Sequence, residues 1–526
     1  VFPCQFDTVS GFFQIPMEAP MFLRAVPFGL VDFSRTSSIF TFVEMVRLIV
    51  VGLGFGLLST SLGFADPPVD SPRYTPLVRV IQKIEPAVVA LFTPVDNQIF
   101  SGSGTVIHSD GYVLTNNHVL PKTEGFALMQ GSKPLQFRVV SRMPEADIAI
   151  IRLVNPPANL STVPIGRSHD LMHGESVVVA GNPGGRGIVF TSGIVSANNV
   201  LEGGPNAMIM SNYVNDRRDR LIQFDAASNR GNSGGPLVNM EGRVIGVVAA
   251  VINGEQNVGL AIPIDRVRQT MESLLESEMV HESIVGMRLD PWVESAVVRE
   301  IVPDSPADFA GFRPGDEIVS LDGLPLHHAI DWQLGLETRL PARKLLRLET
   351  KAGGRIETKE LQPSLYQTAA VDEVSGTQPG LKYRMCEGVF NEMPDFDSLS
   401  ANRQGVSEEL EVDSIAKDRK DYFAIRFDGF LRVDTDDLYR LIIVSDDGSK
   451  LFLDGRLLID HDGNHPPKPA GQLVRLRKGL HPIRIEYFQG NGDKSLQLFM
   501  DPCASRASLS LTPPTKVLGA ALSHLP

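Results

Sequence analysis

The sequence has 526 residues, enough chain for three or four domains of ordinary size. Hydrophobic residues make up 43% and charged residues 21%, which is the balance of a globular protein and not of a disordered or fibrous one. A net charge of −13 argues against a nucleic-acid partner, because phosphate neutralisation needs clustered Lys and Arg on a basic face.

Residues 1–44 carry nine of the 27 Phe with neither a helical nor a strand period, and they are expected to be an upstream extension foreign to the protein, whose start would be Met45. Residues 45–65, MVRLIVVGLGFGLLSTSLGFA, have the form of a secretory signal peptide. Arg47 gives a positive start, Leu48 to Leu58 an apolar run, and Gly63 and Ala65 small residues before a cleavage point at Asp66. The alternative is an uncleaved anchor; the run is short for a span of roughly 20 residues, which favours cleavage and an exported, periplasmic or extracellular protein. Without Cys4 the mature chain keeps Cys386 and Cys503. In an oxidising compartment these could pair or stay as free thiols, and sequence leaves both open.

Residues 66–82 read as a tether, Pro-rich and then apolar. From 83 to 263 short β-type runs alternate with Gly, Pro and Asn turns (AVVALF, GTVIHSDGYVLTNNHV, DIAIIRLV, ESVVVAG, RVIGVVAAV), the pattern of an all-β barrel or sandwich. The period then changes: Ile264, Val267, Met271, Leu274, Leu275 and Met279 recur at three and four, which predicts an amphipathic helix through 280. A small α+β unit is expected over 284–363, with Ser305 as N-cap, Pro306 at the first helical position and Gly311 as the stop of a short helix. Residues 364–379 read as a linker, 380–503 as a second β domain, and the Ser-, Pro- and Ala-rich 504–526 as a disordered tail.

Three polar residues in the first β region form a chemical set. Ser233 lies in GNSGGPL, where Gly231, Gly234 and Gly235 permit a tight turn, and the N–H groups of Gly231 and Ser233 can face one oxyanion. A serine is a weak nucleophile and needs a base. His118, at the end of YVLTNNHVL, is the candidate, and Asp147, entering the apolar run of EADIAIIRL, is suited to hold its imidazole N–H. Each alone would pass for a structural residue; the order His, Asp, Ser on a β-rich chain makes the set.

On these residues the region 80–270 resembles the trypsin-like double β-barrel proteases, and among them the HtrA (Deg) family. The matching stretches are SGSGTVIHSDGYVLTNNHV, DIAIIRL, GNPGGRGIVFTSGIVSA and DAASNRGNSGGPLVNMEGRVIGV. The resemblance implies a His118–Asp147–Ser233 triad that needs no cofactor, unfolded or damaged protein as substrate, and assembly as a homotrimer. Where digestive relatives have Asp before the nucleophile, this chain has Asn232, so activity is expected to be set by loop ordering. Ala227, six residues before Ser233, together with Ser228, Val248 and Ala249, implies an S1 pocket for small aliphatic side chains; Ser228 departs from the apolar residue usual there.

The unit at 284–363 resembles a PDZ domain of the HtrA type through IVGMRLD and VVREIVPDSPADFAGFRPGDEIVSLDG, which implies recognition of peptide C-termini by a carboxylate loop of Ile284, Val285, Gly286 and Met287. Val285 and Met287 are not the typical neighbours of that glycine. Residues 380–503 resemble PA14 through LKYRMCEGVFNEMPDF, SDDGSKLFLDGRLLIDHDGNH and LRKGLHPIRIEYFQGNGDKSLQLFMD. Relatives of that fold include sugar-binding modules, which implies Ca²⁺ at Asp446 and Asp447 and a glycan ligand; Asp-Asp-Gly also fits a plain hairpin turn. A peptide-binding chaperone or a glycan-binding protein with vestigial proteolysis is the competing reading of the whole.

Overall fold

The computed structural model describes residues 71–96, 98–185, 187–201, 220–251, 257–352, 354–365, 374–417, 419–502 and 515–526. The upstream extension and the signal peptide lie outside them. Arg79–Pro526 forms one unit by its internal contacts. Among the described residues no helix is long and apolar enough to cross a membrane.

Two closed six-stranded barrels come first. The first holds β1 (Val88–Val95), β2 (Gln98–His108), β3 (Tyr112–Thr115), β4 (Glu124–Met129), β5 (Leu135–Met143) and β6 (Ile148–Leu153), in the order β1-β2-β3-β6-β5-β4. The second holds β7 (Ser176–Gly181), β8 (Val189–Leu201), β9 (Arg220–Phe224), β10 (Pro236–Asn239), β11 (Val244–Val251) and β12 (Gly259–Pro263), in the equivalent order β7-β8-β9-β12-β11-β10. Runs such as Ile148–Ile151 and Val177–Ala180 are buried on both faces, one towards the barrel interior and one under the rest of the fold, which is why they read as continuous apolar stretches.

Three helices depart from the sequence reading or refine it. Helix α1 (Pro76–Ile84) occupies the end of the expected tether. The expected helix 264–280 is two: α2 (Ile264–Leu275) ends where Glu276 turns left-handed (φ 43°), and α3 (Ser277–Val280) restarts at an angle. The break has a cap, the Glu276 N–H donating to Glu272 O at 2.7 Å, and Gln472 holds the Glu276 carboxylate.

In the PDZ-like unit β13 (Ser283–Ile284) pairs with Ser364–Leu365, and β14 (Met287–Leu289) pairs with β15 (Val298–Ile301). Helix α4 (Pro306–Phe309) is capped by the Ser305 hydroxyl, which accepts from Asp308 N, and stops before Gly311 at φ 76°, as the sequence predicts. Helix α5 (Ala329–Arg339) buries Trp332 and Leu336 in the core with Val298, Phe312, Ile318 and Leu348.

The last domain is a sandwich of a large sheet and a three-stranded sheet ordered Lys468–Leu476, Asp437–Asp446, Ser495–Pro502. Phe423, Phe427, Leu441, Ile443, Ile485 and Tyr487 lie in its core. The disordered tail expected over 504–526 is corrected for the described part. Leu522–His524 is a strand that pairs with Phe430 and Leu431 and with Gln378 and Pro379, because Leu522 supplies a core side chain that the polar composition of the segment hides. Cys386 is buried beside Phe396, Ala424 and Phe488; Cys503, and with it the pairing question, lies outside the described residues.

Candidate active site

Strand pairing brings His118 and Asp147 together. β3 and β6 run antiparallel with Thr115 opposite Ala149, so the residues just past one and just before the other meet at the barrel rim. Asp147 ends a 3₁₀ turn at φ 51°, a left-handed conformation that aspartate tolerates better than most residues. Its Oδ1 accepts the His118 backbone N–H at 3.0 Å and its Oδ2 lies 2.7 Å from His118 Nδ1. Asn116 Nδ2 and the Asn117 N–H hold the Asp147 carbonyl at 2.9 and 3.3 Å. An Nδ1–H given to Asp147 leaves Nε2 as the basic nitrogen, and the imidazole is 47% exposed.

Ser233 belongs to the other barrel, in the turn between β9 and β10. Gly231 and Gly234 have φ of 104° and 83°, and a Cβ on Gly234 would stand 2.2 Å from both Ser103 O and Thr115 Oγ1. Glycine is therefore required for close approach as well as for the turn. Ser103, on β2, ties this turn to the first barrel. Its N–H donates to Ser233 O at 2.8 Å, its hydroxyl donates to Gly231 O at 2.6 Å and accepts the Asn182 N–H at 2.9 Å, and its carbonyl accepts from Thr115 Oγ1 at 2.7 Å. A Cβ on Gly102 would lie 2.8 Å from Val119 and 3.3 Å from Ser233 O, so Gly102 is the thin wall between the chain at His118 and the chain at Ser233. The Ser233 hydroxyl donates to Ala249 O at 3.1 Å. Ser103 and Gly102 were not singled out from sequence, although both lie in SGSG, the start of one of the matching stretches.

Of the residues expected to shape S1, Ala249 meets that hydroxyl through its carbonyl. Val248 is buried, its carbonyl accepts from Gly234 N and its N–H donates to Gly235 O. Ala227 O accepts from Thr191 Oγ1 at 2.8 Å, and Ser228 Oγ lies 3.4 Å from Asn232 Nδ2. Asn232 is buried and makes no charge pair at this amide–hydroxyl contact.

In the second domain Ile284 is committed to β13, and Met287 is buried on β14 opposite Ile301. Val285 and Gly286 direct consecutive N–H groups at one acceptor, Oε1 of Glu278, at 2.9 and 2.8 Å. Gly286 needs its glycine: φ is 77° and a Cβ would strike Ser305.

In the third domain Asp446 and Asp447 are both buried, and a cis peptide joins them. Asp447 accepts from His465 N at 3.1 Å and Gly490 N at 2.8 Å. Burial, then Asp447 and Asp493, pushes the Asp446 carboxyl up to about 7. Asn464 Oδ1 is buried without a hydrogen-bond partner, and it and Asp447 Oδ2 both crowd the position a Gly490 Cβ would take, at 3.3 and 3.0 Å. Among the described residues no group of three or more His, Cys, Asp or Glu is arranged to hold a metal. The oxygens of Asp446, Asp447 and Asn464 are of the kind Ca²⁺ selects, so the donor chemistry of these residues fits the ion.

Two closed barrels with a His–Asp pair on one rim and a glycine-flanked serine on the other define the class of trypsin-like peptidase folds. Family models agree: a trypsin-like peptidase domain matches residues 102–247, a PDZ domain 297–349 and a PA14 domain 377–516. The periplasmic serine endoprotease DegP of Escherichia coli K12 is 37% identical over 243 residues, covering 43% of this chain and 49% of that protein. The periplasmic pH-dependent serine endoprotease DegQ of the same organism is 32% identical over 262 residues, covering 46% and 55%. The chain thus spans about half the length of the curated relatives it matches. A serine endoprotease structure from Yersinia pestis aligns at 25% identity and TM-score 0.33, covering 55% of this chain and 97% of that one. The chain joins a trypsin-like peptidase domain to one PDZ domain and one PA14 domain.

Proposed function

We propose that this protein is an exported serine endopeptidase that cleaves unfolded or damaged protein, with Ser233 as nucleophile, His118 as general base and acid, and Asp147 as the group that orients the imidazole. The observation that carries the reading is the double grip of Asp147 on His118, ring and backbone, at the rim facing the Ser233 turn. Rotation about the Ser233 Cα–Cβ bond takes the hydroxyl from Ala249 O towards His118, whose Nε2 accepts the proton as Oγ adds to the scissile carbonyl. The oxyanion is met by the N–H groups of Gly231 and Ser233. The imidazolium, stabilised by Asp147, then gives its proton to the leaving amine, and water repeats the cycle on the acyl-enzyme.

Val248 and Ala249, with Ala227 and Ser228, favour small aliphatic residues at the cleaved position. Asn232, held by a neutral side chain, supports control by loop ordering and not by a buried charge pair. The PDZ domain, in this reading, receives exposed peptide C-termini at Val285 and Gly286. In the PA14 domain Asp446, Asp447 and the unmatched Asn464 oxygen would hold Ca²⁺.

The test is hydrolysis of unfolded casein by the mature chain, with product termini sequenced. Ser233→Ala is expected to lower the rate by about 10⁴–10⁶-fold while the melting curve is unchanged, the usual consequence of losing a triad nucleophile. Casein cleavage that persists in Ser233→Ala rejects the assignment.

A further inference from the structure

The loop expected to take a peptide's terminal carboxylate already holds one, and it belongs to this chain. The left-handed turn at Glu276 ends α2 and lets α3 swing Glu278 onto the loop, where one carboxylate oxygen receives two consecutive backbone N–H groups. That is the geometry by which a loop of amides captures a chain terminus. Burial pushes the Glu278 carboxyl up while the Gly286 and Val285 N–H groups pull it down, so these two bonds are what offset the cost of enclosing it.

The same segment covers the ground beyond the loop. Among the described residues β14 has one partner strand, β15, and its Arg288 reaches Glu272 of α2 at 3.3 Å. α2 and α3 pack against α5, where Ser277 Oγ donates to Glu337 Oε2 at 2.9 Å and His281 Nε2 lies 3.1 Å from Glu337 Oε1. The PA14 strand Lys468–Leu476 clamps the segment from its other side. Arg475 Nε donates to Met279 O at 3.3 Å and its Nη1 pairs with Glu282 at 3.1 Å, while Met279 and Val280 pack on Leu438 and Leu473.

We propose that Glu276–Glu282 is an intramolecular ligand of the PDZ domain, with Glu278 occupying the place of a peptide's terminal carboxylate, so that a peptide C-terminus binds by displacing it. The proposal rests on the reading of Val285–Gly286 as a carboxylate loop. It names the competitor by chemistry: an extended peptide ending in a free carboxylate competes, and the same peptide ending in an amide does not. Displacement also frees the C-terminal end of α2, where Ser141 of β5 donates to Leu274 O, in a helix that also packs on β11, the strand of Val248 and Ala249.

The experiment uses the full chain carrying Ser233→Ala, so that probes are not cut, and reads fluorescence anisotropy of a labelled random decapeptide pool with a hydrophobic last residue, made as free acid and as amide. Adding Glu278→Ala is expected to tighten binding of the free-acid pool ~10-fold, the factor by which a self-ligand occupying nine-tenths of the sites weakens a competitor, and to leave the amide pool unchanged. Arg475→Ala, which loosens the clamp and keeps the loop intact, is expected to shift affinity in the same direction by a smaller factor, and it decides the matter if Glu278→Ala fails to fold. Equal free-acid affinity with and without these substitutions, in a protein that does bind the pool, overturns the self-ligand while the PDZ reading stands. An equal gain for both pools overturns it too. No free-acid binding in any variant removes the carboxylate-loop reading and the proposal with it.

Discussion

Asp147 and Asp447 each spread a carboxylate over two donors, and the difference lies in what stands beside them. Asp147 holds a histidine by ring and backbone, and the pair can share positive charge when a proton arrives. Asp447 holds only backbone N–H groups; its neighbours are a second buried carboxyl, Asp446, and, across the Gly490 position, the unmatched Asn464 oxygen. Like charges at close range raise the cost of ionising both, and a divalent cation removes that cost. If Ca²⁺ is the missing partner, adding it at 100 times its dissociation constant stabilises the domain by about 2.7 kcal/mol. A thermal melt in Ca²⁺ against chelator reads this gain. Asp447→Asn is expected to abolish the Ca²⁺-dependent shift; a shift of equal size in that variant, or none in the unaltered protein, rejects the site.

At the scale of elements, the C-terminal strand is the instructive case. Leu522 is buried in the sandwich core, Gly380 N donates to Leu522 O at 3.0 Å, and His524 Nδ1 contacts Gly380 O at 3.1 Å. Removing residues 515–526 uncovers Leu431 and opens the edge at Phe430. Loss of the Leu522 burial alone costs about 1.5–3 kcal/mol. A urea melt of the truncated chain should show a lower midpoint for the PA14 transition; an unchanged midpoint means the strand is ornamental.

This strand was not legible because its register comes from partners 90 and more residues away, whereas its own neighbourhood is polar and Pro-rich. The break at Glu276 was hidden differently, since Met279 keeps the helical spacing across it. Glu278, three residues after Leu275 and four after Leu274, falls on the apolar face of that pattern, a charged residue whose partners, the Val285 and Gly286 N–H groups, are supplied only by the fold. By contrast the His118–Asp147 pair, the glycine-flanked turn at Ser233 and the Ser305 cap could be read directly, because turn glycines, capping side chains and strand-end polar residues carry their geometry in local sequence.

At the scale of the whole chain, the peptidase and PDZ domains meet over a polar junction. Tyr112 OH bonds Thr338 Oγ1 at 2.8 Å, Arg339 lies 4.0 Å from Asp110 and 2.9 Å from Asp322, and Arg268 donates to Gly166 O and to Val293 O. Two histidines are enclosed there. Burial lowers His108 against the raising influence of Asp110 and Asp331, with Arg339 and Arg152 lowering it further. Burial likewise lowers His328 against Asp331, with Arg268 and His327 on the lowering side. Both are neutral in the folded chain near pH 7 and acquire a proton more readily when unfolded. The unfolded state therefore binds more protons below about 6.5, and the stability these residues give is present above that pH and lost as pH falls towards their folded values. His108→Gln keeps a polar side chain and removes one titration. Urea midpoints measured at pH 7.5 and 5.5 should fall on acidification in the unaltered chain and fall less in His108→Gln. Equal falls in the two proteins would place the acid sensitivity elsewhere and leave the junction indifferent to pH.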